Sequence, residues 1–185
     1  MKLLIASDIH GDIDCLEATL KEFNNRGCDR LLLLGDLLYH GPRNDLPVGY
    51  APKKVIERLN GIKERILAVR GNCDTEVDQM VLEFPILADY ALLHLDGVTV
   101  FATHGHIYTA ENPPALFKGE ILLHGHTHLM GIEQLNGGII RINPGSVSLP
   151  KGGNPKTFAI YENGEFSIFD FNGNEIVKLA LIEKT

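Results

Sequence analysis

Five short apolar runs, each ending just before an aspartate, asparagine or histidine, constrain the fold of this chain more than any other feature. Leu3–Ala6, Leu31–Leu34, Ile66–Val69, Val98–Ala102 and Ile121–Leu123 read as β-strands. Behind them come Asp8-x-His10, Gly35-Asp36, Gly71-Asn72, His104 and Gly125-His126-Thr127-His128, in that order. Strand ends are rigid platforms, so five of them side by side aim seven N/O side chains at one point. Asp8, His10, Asp36, Asn72, His104, His126 and His128 then make a ligand set for two metal ions. Six of the eight histidines lie in it or beside it.

The rest of the chain supplies elements around those strands. Lys2–Ser7 is almost continuously apolar, as expected of a strand buried on both faces. Asp14–Arg26 places Leu16, Leu20 and Phe23 at helical spacing, with Gly27 as its stop. Arg30–Leu34 is the second strand, and Tyr39–Tyr50 is a long loop with Gly41, Pro42, Pro47 and Gly49. Ala51–Leu59 resumes a helix with Pro52 in its first turn. Arg65–Arg70 is the third strand, and Thr75–Val81 reads as a short helix capped by Thr75 or Asp74. From residue 91 strands crowd together: Ala91–Leu95 and Val98–Thr103 across Asp96-Gly97, then Ile121–His124, Gly131–Leu135 and Ile139–Asn143. Thr157–Tyr161 and Glu165–Phe171 pair across Asn163-Gly164, and Glu175–Ile182 follows. A βαβα half followed by a hairpin half predicts two stacked sheets flanked by helices.

Composition narrows the function classes. A length of 185 residues suits one domain, 1–185, with 44% apolar and 22% charged residues as in ordinary soluble proteins. A net charge of −7 argues against nucleic acid as a partner, because nonspecific binding needs Lys and Arg to neutralise phosphates. Cys15, Cys28 and Cys73 are odd in number and form no CxxC pair, so no disulfide framework is expected. Met1-Lys2 leads straight into a strand and no apolar run reaches membrane-spanning length. A cytoplasmic location, with no membrane partner, is the expectation.

The five blocks, spanning residues 8–128, resemble the calcineurin-like metallophosphoesterase family: DxH, GDxx, GN(H)(D/E), H and GHxH. Cys73 in Gly-Asn-Cys-Asp, the stretches His40-Gly41-Pro42-Arg43-Asn44 and Asn143-Pro144-Gly145-Ser146, and the absence of cap insertions resemble the YfcE-type bacterial phosphodiesterases more narrowly. The resemblance implies a four-layer α/β/β/α sandwich, which agrees with the strand and helix pattern. It implies that Asp8, His10 and His128 hold one metal, that Asn72, His104 and His126 hold the other, and that Asp36 bridges them. Mixed imidazole, carboxylate and amide ligation suits divalent transition metals, manganese first, then nickel, iron, cobalt or zinc. Two such ions roughly 3.5–4 Å apart activate a bridging hydroxide, fix the phosphoryl oxygens for in-line attack and neutralise transition-state charge.

Asp36, Asn72, Cys73, His104 and Arg43 are the residues expected to act in catalysis. The resemblance marks one departure, because many relatives carry His where this chain has Cys73, and that His assists the leaving group. A thiol, with an ordinary pKa of about 8.5, hydrogen-bonds weakly and carries no positive charge. Leaving-group assistance is therefore expected to be poor, which favours esters with low-pKa leaving groups; simple packing is the other reading of Cys73. Asp74 loses its usual partner, which leaves its role open, with helix capping one sufficient reading. Arg43, with a guanidinium fork that matches phosphate oxygens, is the candidate for a substrate contact, a solvated loop arginine being the other reading. His106 is read as a donor to substrate or as support for a ligand.

The expected activity is hydrolysis of a small or activated phosphodiester. The alternatives are a phosphomonoesterase, including a protein phosphatase, and a protein-binding scaffold of the kind the Vps29 relatives represent. Eroded ligands would mark a scaffold, and all seven are intact here. A homo-oligomer remains open.

Overall fold

The computed structural model describes residues 1–181. Leu3–Ala6 (β1), Arg30–Leu33 (β2) and Ile66–Ala68 (β3) pair in parallel. The helices Ile13–Asn25 (α1) and Pro52–Asn60 (α2) follow β1 and β2. The short helix Glu76–Gln79 (α3) follows β3. α1 begins at Asp12, whose side chain accepts the Cys15 N–H at 3.0 Å, and ends before Gly27. In α3 the cap is Thr75 alone, in a reciprocal pair with Asp78, and the helix is shorter than the Thr75–Val81 expected.

The second half forms Tyr90–Leu95 (β4), Val98–Thr103 (β5), Ile121–Leu123 (β6), Gly131–Gln134 (β7) and Ile140–Asn143 (β8). Together they make a sheet of order β4-β5-β6-β8-β7, with β5, β6 and β8 parallel. Thr157–Glu162 (β9), Glu165–Asp170 (β10) and Glu175–Ala180 (β11) are the last strands among the described residues. Residue 182 of the expected last strand lies outside the described residues. These three strands do not extend the second sheet. They join the first through an antiparallel β1–β9 pair, giving the order β11-β10-β9-β1-β2-β3.

Strand alternation divides the core. Leu4, Ala6, Leu31 and Leu33 pack with Leu16, Leu20, Phe23, Val55 and Leu59 of the helices. Leu3, Ile5 and Leu32 point the other way, against Val100, Ala102, Ile121, Leu123 and Ile142 of the second sheet. Both faces of β1 and β2 are thus buried, which is why they read as unbroken apolar runs. The expected sandwich of two mixed sheets is what the chain forms. Its outer layers are unequal. Helices cover the first sheet, whereas Phe101, Leu122 and Ile139 on the far face of the second lie with Tyr108, Leu116 and Leu135. Tyr108 and Leu116 belong to the 104–120 connection, which has no helix.

Candidate metal centre

The parallel strands of both sheets deliver their C-terminal ends to one place. The loops after β1, β2 and β3 carry Asp8, His10, Asp36 and Asn72, and those after β5 and β6 carry His104, His126 and His128. The ring and carboxylate atoms converge within hydrogen-bonding or ligand-sharing distance. His128 Nε2 lies 3.2 Å from Asp8 Oδ1 and 3.3 Å from His10 Nε2. His104 Nε2 lies 3.1 Å from both Asn72 Oδ1 and His126 Nδ1. Asp36 Oδ2 stands between the two groups, 3.8 Å from His10 Nε2 and 3.5 Å from His104 Nε2. The structure therefore brings together all seven residues singled out in the sequence.

Backbone geometry aims these side chains. Asp8, His10, Asp36, His126 and His128 all have left-handed φ, from 50° to 65°. Such a backbone costs an L-residue roughly 1–2 kcal/mol, and five at one site persist only because their surroundings over-determine them. The loops are laced together, with Asp8 N–H donating to Gly35 O, His10 N–H to Asp36 O and Gly125 N–H to His104 O. Close approach explains two motif glycines. A Cβ on Gly71 would lie 2.1 Å from Asp36 Oδ1, and one on Gly125 would lie 1.9 Å from Ser7 Oγ.

Three histidines are oriented by their second ring nitrogen. Nδ1 of His10, His104 and His128 meets the carbonyls of Tyr39, Leu34 and Leu149 at 2.8, 2.6 and 2.5 Å. A carbonyl can only accept, so Nδ1 carries the proton in the neutral ring and Nε2 turns a lone pair inward. Asp36 Oδ1 accepts the Cys73 N–H at 2.8 Å, which leaves Oδ2 for the centre. Asp8 Oδ2 accepts the His126 N–H, while its buried Oδ1 has no hydrogen-bond partner among the described residues. A buried carboxylate oxygen without a donor, faced by imidazole lone pairs, fits a cation and little else.

Electrostatics point the same way. Burial pushes the Asp8 carboxyl up, but the imidazoles of His128, His104 and His10 packed around it outweigh that and hold the group below its usual range. Asp36 is likewise lowered: burial opposes ionisation and the His104 contact prevails. For His104, burial favours the neutral ring, yet Asp36 and Asp8 raise it to about 9. The two carboxylates demand positive charge between them. Burial, then the charge of His104, lowers His126 to about 4, leaving it a neutral donor of electrons.

Supporting residues surround this floor. Asp74 does not cap a helix. Its two oxygens accept the N–H groups of Asp36, Gly71 and Leu37 at 2.8, 2.8 and 2.9 Å, tying two ligand loops together. Ser146 and Ser148 hydroxyls donate to Asp8 O, and Asn143 Nδ2 donates to Gly125 O, so the Asn143–Ser148 segment braces the ligand loops. His124 accepts from Arg141 Nε on Nε2; burial, then that cation, lowers it to about 4. The thiol of Cys73 takes a hydrogen bond from Asn72 Nδ2 at 3.2 Å, and burial, then Asp36, pushes its pKa up. Its Sγ also lies within 4.8 Å of ligand atoms of His10 and Asp36.

A cleft of about 350 Å³ opens over the floor, lined by His10, Asp36, Asn72, Cys73, His126 and His128 and by Arg43. Asn44, Thr127 and Lys151 also line it, and none of these was singled out in the sequence. Only the adjacency of Thr127 to two histidines and of Asn44 to Arg43 signalled them; Lys151 carries no local mark. His106 lies outside, on the wall of an adjoining cavity that also meets His126, with its Nδ1 buried and unpartnered.

Residues 1–165 match the Calcineurin-like phosphoesterase superfamily domain, and the chain belongs to that superfamily, whose members use divalent metal ions. Over 182 residues it is 50% identical to Phosphodiesterase YfcE of Escherichia coli strain K12, covering 98% of each chain. The solved structure of YfcE, a phosphoesterase from E. coli, matches with a TM-score of 0.95 at 48% identity, over 98% of this chain and 100% of that one. Vacuolar Protein Sorting 29 from Cryptosporidium parvum shares the fold alone, with a TM-score of 0.63 at 15% identity over 97% of each chain.

Proposed function

We propose that the protein is a two-metal phosphodiesterase that hydrolyses a small or activated phosphodiester by in-line attack of hydroxide. The convergence of seven N/O side chains on a floor with an unpartnered Asp8 oxygen carries this reading. Its half-identical relative named a phosphodiesterase supports the substrate class. Asp8, His10 and His128 would hold one divalent ion and Asn72, His104 and His126 the other, with Asp36 shared. Manganese is proposed first, with nickel, iron, cobalt and zinc suiting the same ligands. When bound, such ions supply hydroxide near neutral pH and a positive field for the phosphoryl oxygens.

The chain's own residues do the rest. The carbonyl-bound Nδ1 protons of His10, His104 and His128 fix which nitrogen faces the centre. Asp74 holds the Asp36 loop against Gly71, so the shared carboxylate keeps its aim. Arg43, on the cleft wall, contacts a phosphate oxygen of the substrate. Cys73 sits beside Asp36 as a neutral thiol and offers no charge to a departing alkoxide. The free thiols of Cys15, Cys28 and Cys73 support a reducing, cytoplasmic setting. No helix among the described residues is long and apolar enough to cross a membrane.

The test is hydrolysis of bis(p-nitrophenyl) phosphate beside p-nitrophenyl phosphate by chelated protein reloaded with single metals, with Asp36→Asn as control. Metal-dependent diester preference that vanishes in the variant is the expected result. No turnover with any metal sinks the proposal. Preference for the monoester makes the enzyme a phosphomonoesterase.

A further inference from the structure

The phosphodiesterase reading leaves one feature of the cleft unused, a lysine fixed beside a candidate ligand. Lys151 follows β8 in a loop bound to His128 at two points. His128 Nδ1 donates to Leu149 O at 2.5 Å, and Lys151 N–H donates to His128 O at 3.1 Å. Gly152 and Gly153, with φ of 66° and 75°, then turn the chain away. The Lys151 backbone is therefore fixed relative to the metal floor, while its side chain lines the cleft along with Arg43.

Neither cation forms an ion pair with any described residue. Two other arginines near the ligand loops differ. Arg70, next to Gly71, pairs with Glu76, and Arg141, bonded to His124, pairs with Glu133. Those two arginines are paired, and the two cations on the cleft wall are not. The charge of two divalent cations, when bound, would already be matched by Asp8, Asp36, a hydroxide and the single negative charge of a diester. Arg43 and Lys151 add two positive charges beyond that balance, in a chain whose net charge is −7.

We propose that Lys151, with Arg43, receives a second anionic group, a phosphomonoester carried on one ester arm of the diester. The inference rests on the phosphodiesterase reading and narrows its substrate class. A phosphate dianion matches the two surplus charges. Arg43 offers five N–H donors, enough to reach the reacting phosphoryl group and the second phosphate together, and Lys151 serves the second as a point charge.

The experiment compares two diesters, thymidine 5′-(p-nitrophenyl phosphate) with and without a 3′-phosphate, at constant ionic strength on metal-loaded protein. The 3′-phosphate is expected to raise kcat/KM about tenfold, chiefly through KM, as one charge-assisted contact does. Lys151→Met should cut that ratio to below about threefold, and Lys151→Glu should cut it at least as far. Lys53→Met, on α2 outside the cleft, should keep it. Calorimetric binding of thymidine 3′,5′-bisphosphate against thymidine 5′-phosphate gives a second readout, with the same preference and the same loss. A wild-type preference below about threefold, or one that survives in Lys151→Met, overturns the receptor. If neither diester is hydrolysed, the phosphodiesterase reading fails by itself, and the binding preference alone decides the receptor.

Discussion

The floor of the cleft and its rim are held by different kinds of bond. On the floor, Asp8, His10, Asp36, His104 and His128 are at most 3% exposed. Each is oriented by its own left-handed backbone or by a hydrogen bond to a main-chain group. On the rim, Arg43 and Lys151 are exposed side chains on connecting loops, with charged ends that no carboxylate among the described residues holds. Main-chain bonds position atoms to a fraction of an ångström. Long solvated side chains adapt to whatever arrives. The floor is thus set by the backbone, and the rim is left to adaptable side chains.

The largest expected effects lie on the floor. Asp36→Asn keeps the acceptor for the Cys73 N–H but removes the shared negative charge. Turnover of an activated diester should fall by about a thousandfold or more, with the melting temperature nearly unchanged. A variant within tenfold of the wild type would break the distinction between floor and rim. Asp74→Ala tests the lacing instead. It leaves three buried N–H groups without their acceptor, at about 1–3 kcal/mol for each group left unsatisfied. Denaturant unfolding should show a loss of several kcal/mol, with Asp74→Asn intermediate. Gly71→Ala forces a methyl group against Asp36 Oδ1. Calorimetry should find metal affinity weakened by about 10–100-fold, the scale of lost support around a metal site.

The same division explains what was legible in the sequence. Floor residues announced themselves because rigid strands must end somewhere, and each apolar run ended on a side chain with lone pairs. The hairpins at Asp96-Gly97 and Asn163-Gly164 were legible for a related reason, since both Asp96 and Asn163 adopt the left-handed φ those turns need. Long-range partners left no such trace. That β9 joins β1, with Leu3 opposite Tyr161, depends on burial of both faces of β1 and on nothing near residue 157. Asp74 looked like a helix cap because acidic residues before a helix usually are. Its partners, the N–H groups of Asp36 and Leu37, lie more than 35 residues away. Lys151 was invisible because the bonds that fix its loop run to a ligand 23 positions earlier, His128.

Smaller effects belong to the rim. Arg43→Met should raise KM for a diester by about tenfold with kcat little changed, the mark of a contact made equally in ground and transition states. An equal fall in kcat would instead place Arg43 with the floor.

Cys73 stands at the boundary between the two regions, since its main-chain N–H serves Asp36 while its side chain lines the cleft. Its thiol, raised by burial and by Asp36, stays neutral and cannot supply charge or a ready proton to a departing oxygen. Alkyl leaving groups need that proton far more than p-nitrophenolate does, so the rate should be more sensitive to leaving-group pKa than in an enzyme with a general acid there. Cys73→His would introduce one, but in narrow space, because even a Cβ on Gly41 would lie 3.3 Å from Sγ. General acids contribute about a hundredfold or more when well placed. An imidazole that must first displace the Gly41 loop should deliver only a part of this, about threefold in the alkyl-to-aryl rate ratio. Unchanged rates on both ester types would mean that the leaving group departs away from residue 73, and that the thiol serves only to pack the wall between Gly41 and Asn72.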